Sequence, residues 1–252
     1  MAFPISIVRP STTSMNSQMS AIPAHFTYRG GALLSSVQLF TIFWGREWQS
    51  DSSYTYLLQN LNTFFQTIVS SPLIDQLSEY SQPNFPIGRG NFVGTATLNE
   101  GFPIPHLFAK TILFDIMIQK RLQQAISQGI VPKPTANMLY FFFFPAGVII
   151  SKQGEFSCRN FCGYHNAISS DTFYGVLPYP SCSGCSGGML PFDSLTTTSS
   201  HELCEAITDA VPGQGWYDAT YGEIGDVCAW KTKQLGQYTI QREWSQANIA
   251  CV

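Results

Sequence analysis

Charged side chains are scarce in this chain of 252 residues, since Asp, Glu, Lys and Arg together make up only 12% of it. The formal net charge is −3, and Lys and Arg form no cluster anywhere in the sequence. A nucleic-acid-binding surface needs a basic cluster, so we expect no nucleic-acid partner. The polar surface must instead rely on Ser, Thr, Gln and Asn, a composition that is common in secreted proteins.

A hydrophobic run long enough to cross a membrane is also missing. The longest apolar run extends from Met138 to Ile150 and is interrupted by Pro145, whereas a membrane-spanning helix needs about 20 apolar residues. Residues 1–20 lack the charged start and continuous apolar core of a secretory signal. Seven cysteines nevertheless favour an oxidising compartment. We therefore expect an extracellular protein, in a processed form or exported by another route.

Apolar periodicity predicts a chain that mixes helices and strands. Residues 1–24 show no period and indicate an extended polar arm, whereas residues 25–252 predict a single domain. Stripes of apolar residues predict helices, and runs of β-branched and aromatic residues predict strands. The predicted strands cover residues 37–45, 92–98, 139–150 and 238–244, and the predicted helices cover residues 54–69, 72–80, 106–128 and the segment around His201. This order predicts an α+β fold, a mixed sheet backed by long helices, with a Cys-rich C-terminal part at about 151–252.

The stretch His201-Glu202-Leu203-Cys204-Glu205 carries the most chemical information. On a helix, His201 and Glu205 lie four residues apart on one face, and Glu202 lies beside them. The pattern resembles the zinc-protease helix His-Glu-x-x-His with a carboxylate in place of the second histidine. In that arrangement the first and last residues hold zinc, and Glu202 activates the metal-bound water. The residues 196–200 before it are expected to cap the helix.

Further carboxylates follow the motif at distances suited to a third metal ligand. Glu223, eighteen residues after Glu205, is the preferred third ligand. Asp226 is then expected to accept the free imidazole N–H of His201, and it is also the second choice as a ligand. Asp209 is the third choice, and a C-terminal polar residue of the helix is the simpler interpretation of it. Two anionic ligands would acidify a bound water less than three histidines do, so the base Glu202 carries more of the work.

Two further residues are candidates for stabilising a developing oxyanion. His165, within Cys-Gly-Tyr-His-Asn, has the right chemistry for that role. The simpler interpretation, a loop histidine bonded to backbone, is favoured because its neighbours are not diagnostic. Tyr217 is a similar candidate with the same alternative.

The cysteines permit two interpretations. Four of them have the spacing of a four-thiolate zinc site. In an oxidising setting the same four would form two disulfides, and we favour this second interpretation. These four are Cys158, Cys162, Cys182 and Cys185. A pair between Cys228 and Cys251 is also expected. Cys204 is left as a buried free thiol.

Several segments together resemble the EXORDIUM (phosphate-induced protein) family, specifically its fungal and bacterial relatives. The matching segments are residues 29–34, 43–45, 70–80, 87–90, 161–166, the Cys182/Cys185 pair, and residues 201–209, 215–218, 223–228 and 244–251. They cover most of the chain beyond residue 25. Plant members are extracellular, growth-associated proteins without an assigned activity. The resemblance therefore implies an extracellular location, and it leaves a non-catalytic role open.

Two functional hypotheses follow. In the first, the chain is a zincin-like metallopeptidase that acts on a peptide or protein, with zinc held by His201, Glu205 and Glu223 and with Glu202 as general base. In the second, it is a non-catalytic secreted signalling or binding protein with a relic or structural metal site. Its aromatic surface would then bind a protein or cell-wall carbohydrate. Glu202→Gln should abolish hydrolysis under the first hypothesis and change nothing under the second.

Overall fold

The computed structural model describes residues 23–102 and 111–252. The predicted arm at residues 1–24 lies outside the described residues except for its last two positions. The α-helices are α1 (Glu47–Ser50), α2 (Ser52–Ile68), α3 (Pro72–Gln76), α4 (Asp115–Ser127), α5 (Ser183–Ser186) and α6 (Pro191–Thr208), and 3-10 turns occur at Leu77–Tyr80 and Asp226–Cys228.

The strands form one large sheet and several small ones. The strands are β1 (Thr27–Tyr28), β2 (Ser36–Trp44), β3 (Gly88–Leu98), β4 (Thr111–Phe114), β5 (Met138–Phe143), β6 (Val148–Lys152), β7 (Glu155–Phe156), β8 (Tyr164–Ser169), β9 (Thr172–Leu177), β10 (Trp216–Tyr217), β11 (Thr232–Leu235), β12 (Tyr238–Gln241), β13 (Trp244–Ser245) and β14 (Ala250–Cys251).

The large sheet has the strand order β3-β2-β5-β9-β8. Its first four strands are parallel, and β8 is antiparallel at one edge. Every residue of β5 is buried, as expected for a central strand with both faces covered. The predicted mixed sheet is therefore confirmed, and so is the edge strand predicted at residues 92–98.

The core lies on both faces of this sheet, because alternate side chains of a strand point in opposite directions. Phe141 and Phe143 of β5 belong to one cluster, which also contains residues of α2 and α6. Tyr140 and Phe142 belong to the other, which contains residues of α4. The sheet is thus a middle layer, and α6 packs against β8, β9, β12 and α2.

Four predicted boundaries are wrong, one of them the strand predicted at residues 238–244, which is the two strands β12 and β13 in different sheets. The helix predicted at 106–128 begins only at Asp115, since Thr111–Phe114 is a strand that pairs with β6, and residues 106–110 lie outside the described residues. The strand predicted at 139–150 is two strands in different sheets, separated around Pro145, which has no N–H for a ladder. Residues 196–200 do not cap a helix: α6 begins at Pro191, a favoured residue at the first helical position.

Disulfides organise the C-terminal part of the chain. The bonds are Cys158–Cys182, Cys162–Cys185 and Cys228–Cys251. The disulfide interpretation is therefore confirmed over the four-thiolate zinc site. Cys204 is free and buried, as expected.

Within the residues that the structure describes, no helix is both long enough and apolar enough to span a bilayer.

Candidate metal centre

Helix α6 places the motif residues in the interior of the protein. All residues from Ser194 to Thr208 are buried, and His201, Glu202 and Glu205 are at most 1% exposed. The strands β8 and β9 cover one side of this helix and β12 covers another. The polar face of the motif helix therefore points into the molecule rather than to solvent.

Strand β8 brings His165 directly to the motif helix. Its Nδ1 is 3.3 Å from Glu202 Oε2 and 3.7 Å from Glu205 Oε2. Its Nε2 is 3.1 Å from the backbone oxygen of Asp209 and 3.3 Å from Glu223 Oε1. His165 thus lies on a strand and not in a loop, so that part of the simpler interpretation is wrong, whereas its expected bond to backbone is present at the oxygen of Asp209.

The segment after β10 supplies the remaining carboxylates. Donor atoms of His165, Glu205 and Glu223 lie within 4.8 Å of one another, as do those of His201, Glu205 and Asp226. Both proposed third ligands are therefore near the motif, and each belongs to a different group. Glu205 is the residue that the two groups share.

Asp226 does not have the orienting role predicted for it. Its Oδ2 accepts a hydrogen bond from the backbone N–H of Glu223 at 2.9 Å. The imidazole of His201 is instead contacted by Gln241, whose Nε2 lies 2.7 Å from Nδ1. Sequence reasoning missed Gln241, because a lone Gln at the end of a short strand carries no motif signal.

Gln241 also determines which nitrogen of His201 carries a proton. Its Nε2 donates to the backbone oxygen of Gly225 at 3.0 Å, and its Oε1 accepts from the backbone N–H of Trp230 at 3.3 Å. With the amide held in this orientation, Nδ1 of His201 accepts from Gln241. The proton of a neutral imidazole then lies on Nε2, which is 3.1 Å from Glu205 Oε1.

Asp209 is the C-cap residue of α6, and its side chain holds the following loop by hydrogen bonds. Its carboxylate accepts hydrogen bonds from the backbone N–H groups of Gly213, Gln214 and Gly215. This agrees with the simpler interpretation, a polar residue at the C-terminus of the helix. Burial, and next Glu223, raise the pKa of Asp209 to about 8, although the three donors favour its ionised form.

The other carboxyl groups affect one another's ionisation. Burial raises the pKa of Glu205 well above its usual value, and Asp226, Glu223 and Glu202 raise it further. Burial and Glu223 raise the pKa of Asp226 in the same way. Burial lowers the pKa of His201. For His165 burial acts in that direction too, but Glu223 and Glu202 outweigh it and the pKa is raised.

Several buried atoms of this cluster lack a hydrogen-bond partner within the described residues. They are His201 Nε2, Glu202 Oε1, Glu205 Oε1 and Oε2, and Glu223 Oε1. Unpaired buried polar atoms are rare in native proteins and each costs about 1–3 kcal/mol. Divalent cations bound between these residues would satisfy them. Donors around zinc in a tetrahedral site lie about 3.4 Å apart, close to the 3.1–3.7 Å observed between these histidines and carboxylates.

Two glycines allow the surrounding chain to approach the cluster closely. A Cβ atom on Gly225 would lie 2.6 Å from His201 Nδ1 and 2.8 Å from Glu205 Oε1. A Cβ atom on Gly163 would lie 3.1 Å from Glu202 Oε1. No side chain separates these backbones from the motif helix, so the cluster is closed to solvent. Its two histidines and its three glutamates, Glu202, Glu205 and Glu223, are all buried, and the most exposed of these five side chains is His165, at 4%.

Tyr217 lies at the border of the cluster. It is on β10, which pairs with β1, and the guanidinium of Arg29 lies 4.2 Å from its ring centroid. Burial raises the pKa of its hydroxyl, and Glu223 and Asp226 raise it further. Tyr217 therefore makes a cation–π contact with Arg29. Its predicted catalytic role stays a prediction.

The sequence Gly-Cys-Ser-Gly-Gly at residues 184–188 has the form of a serine-hydrolase elbow. Such an elbow requires a strand followed by a sharp turn and a helix. Ser186 instead ends the four-residue helix α5, next to the disulfide of Cys185. This segment is therefore a disulfide-bonded turn.

The chain matches no protein-family model and no curated protein.

Proposed function

We propose that this chain is a metal-dependent hydrolase, a peptidase of zincin-like build, whose divalent cation binds around Glu205. The observation that carries the proposal is the set of buried histidine and carboxylate atoms that face one another without hydrogen-bond partners. Imidazole and carboxylate together suit zinc, although an oxygen-rich site also suits other divalent metals. The residues that would hold the ion are His165, His201, Glu205, Glu223 and Asp226.

The chain's own residues divide the remaining work. A divalent cation supplies Lewis acidity that polarises a carbonyl group and acidifies water. Glu202 is the general base, because its Oε1 is buried and unpaired while its Oε2 is held 3.3 Å from His165 Nδ1. A proton taken up on Oε1 can be passed to the leaving amine. His165 keeps its own orientation by donating from Nε2 to the backbone oxygen of Asp209.

The closure of the cluster supports a second candidate function. A hydrolase must admit its substrate, and here that requires the segment carrying Glu223 and Gly225 to move away from α6. A structural metal site needs no such opening, since such sites are saturated by protein ligands. The second candidate is therefore a non-catalytic secreted protein whose metal stabilises the fold. The three disulfides fit an extracellular setting for either function.

Metal content of the tag-free native protein, measured by mass spectrometry, tests both candidates. We expect at least one equivalent of zinc or a similar metal, and less metal in His165→Ala and in His201→Ala than in the wild type. Glu202→Gln should keep the metal and lose hydrolysis in a peptide-library screen. Metal that is retained without any cleavage would support the structural site. A native protein without metal would refute both.

A further inference from the structure

The two carboxylate oxygens of Glu205 face different histidines. Oε1 lies 3.1 Å from His201 Nε2, and Oε2 lies 3.7 Å from His165 Nδ1. Neither oxygen has a hydrogen-bond partner among the described residues, and the side chain is 1% exposed. A carboxylate with this environment is placed to bridge two cations rather than to bind one.

The other donors separate in the same way. Glu223 is grouped with His165, and Asp226 is grouped with His201. No group of mutually close donor atoms in the described part of the chain contains both histidines. A single ion bound at one group would therefore leave the other histidine and carboxylate uncoordinated.

Charge balance points the same way. Four carboxyl groups lie around the two histidines: Glu202, Glu205 and Glu223, each with a buried oxygen that has no hydrogen-bond partner among the described residues, and Asp226, which accepts from the backbone N–H of Glu223. Their combined charge when ionised, −4, is neutralised by two divalent cations but not by one. Asp209 is outside this count because three backbone N–H groups contact its carboxylate. The nearby Lys152 forms no ion pair within 4.0 Å among the described residues and lies over the ring of Tyr164.

We propose that the cluster binds two divalent cations, one between His165, Glu205 and Glu223 and the other between His201, Glu205 and Asp226, with Glu205 as the bridging ligand. The proposal rests on the metal site of the proposed function. Bridged pairs of metal ions in hydrolases lie about 3.5–4 Å apart and can hold both reacting oxygens of a substrate.

The two cations should bind with different affinities. His165 donates from Nε2 to a backbone oxygen, so its Nδ1 faces Glu202 and Glu205 and can bind a cation once it gives up its proton. His201 has the opposite tautomer, because Gln241 donates to its Nδ1. Binding at Nε2 of His201 requires Gln241 to turn its amide and to give up the bonds to Gly225 and Trp230. The loss of two hydrogen bonds should make the affinity for the second cation about 10- to 100-fold lower than the affinity for the first.

Calorimetric titration of the demetallated full chain with Zn²⁺ measures the number of sites directly. We expect two equivalents, the second weaker. Asp226→Asn keeps the shape of the side chain and an oxygen for the N–H of Glu223, and it should lose only the weaker equivalent. Glu223→Gln should weaken the tighter one. Asp171→Asn, on the exposed turn between β8 and β9, is the matched control and should leave both unchanged.

Electron paramagnetic resonance of the Mn²⁺-loaded wild-type protein provides a second measurement that needs no variant to fold. Two ions bridged by one carboxylate should give an exchange-coupled spectrum, whereas isolated ions give independent six-line signals. One equivalent of metal, or two uncoupled ones, would overturn the bridged pair and leave the proposed hydrolase intact. Two equivalents that Asp226→Asn and Glu223→Gln both leave unchanged would place the ions elsewhere. Zero equivalents would overturn the proposed function as well.

Discussion

The substitution Glu205→Gln gives the sharpest test of the metal centre, because the sign of its effect depends on whether a metal is bound. Without metal, burial raises the pKa of Glu205, so the group favours its neutral acid form. An amide of nearly the same shape should then be tolerated with little change in the free energy of unfolding. With metal, the same substitution removes the carboxylate that both donor groups share.

The magnitude follows from ligand linkage. At a free zinc concentration of about 100 times Kd, a ligand that binds only the folded state stabilises it by about 2.7 kcal/mol. For a chain of this size that gain corresponds to a rise in Tm of about 5–11 °C. We expect this rise for the wild-type protein when zinc replaces chelator. For Glu205→Gln we expect most of it to disappear.

Thermal unfolding followed by circular dichroism measures the Tm of the wild type and of Glu205→Gln, each in zinc and in chelator, with the disulfides intact. Glu47→Gln, at an exposed position of α1, is the control and should respond to zinc as the wild type does. An equal zinc response in the wild type and in Glu205→Gln would refute the assignment of the ligand. A variant that is more stable than the wild type in both conditions would show that the buried carboxyl group destabilises the fold and does not bind zinc.

Three further predictions concern the same cluster. Gly225→Ala should lower the free energy of unfolding, measured by denaturant titration, by about 1–3 kcal/mol, since its Cβ would lie 2.6 Å from a nitrogen of His201. The control is Gly184→Ala, which has open space around it and should lower the free energy of unfolding by less than about 0.5 kcal/mol. In chelator, stability should fall from pH 5 to pH 8. The raised pKa values of Glu205 and Asp226 mean that in this range the folded state still holds protons that the unfolded chain has already released below about pH 5. A flat profile would contradict those shifts. Gln241→Glu should raise the affinity for the weaker zinc equivalent by about tenfold, because a carboxylate accepts from the imidazole and favours the ligating tautomer; an unchanged or lower affinity in calorimetry would refute the role given to this residue.

Local sequence patterns predicted the elements that depend on local interactions. The apolar stripe of α2 and the aromatic run of β5 are visible in the sequence because burial of a helix face or of a whole strand imposes a period. The errors occurred where pairing partners decided the outcome. Thr111–Phe114 forms a strand because it lies beside Val148–Ser151, which no period within the segment reveals.

The same distinction holds for the metal centre. His201, Glu202 and Glu205 were predictable because helix geometry alone brings residues three and four apart together. His165 was a candidate from the sequence, but its position beside the motif helix was not predictable, since that position follows from the antiparallel pairing of β8 with β9, which brings it opposite Gly175. The run Thr-Phe-Tyr-Gly-Val-Leu at Thr172–Leu177 was the available signal, because its β-branched and aromatic residues are typical of a strand.

The cost of burying charge connects the fold to the function. Each ionised carboxylate moved out of water costs several kcal/mol unless it is paired, while a whole domain is stable by only about 5–15 kcal/mol. The chain holds Glu202, Glu205 and Glu223 at most 1% exposed on one side of α6, so it cannot keep these groups ionised and unpaired at once. A proton can neutralise Glu205, whose pKa burial raises, and divalent cations would neutralise the cluster at higher pH. Under the proposed function, cations take over this neutralisation at neutral pH, and the metal-free form should be the acid-stable one.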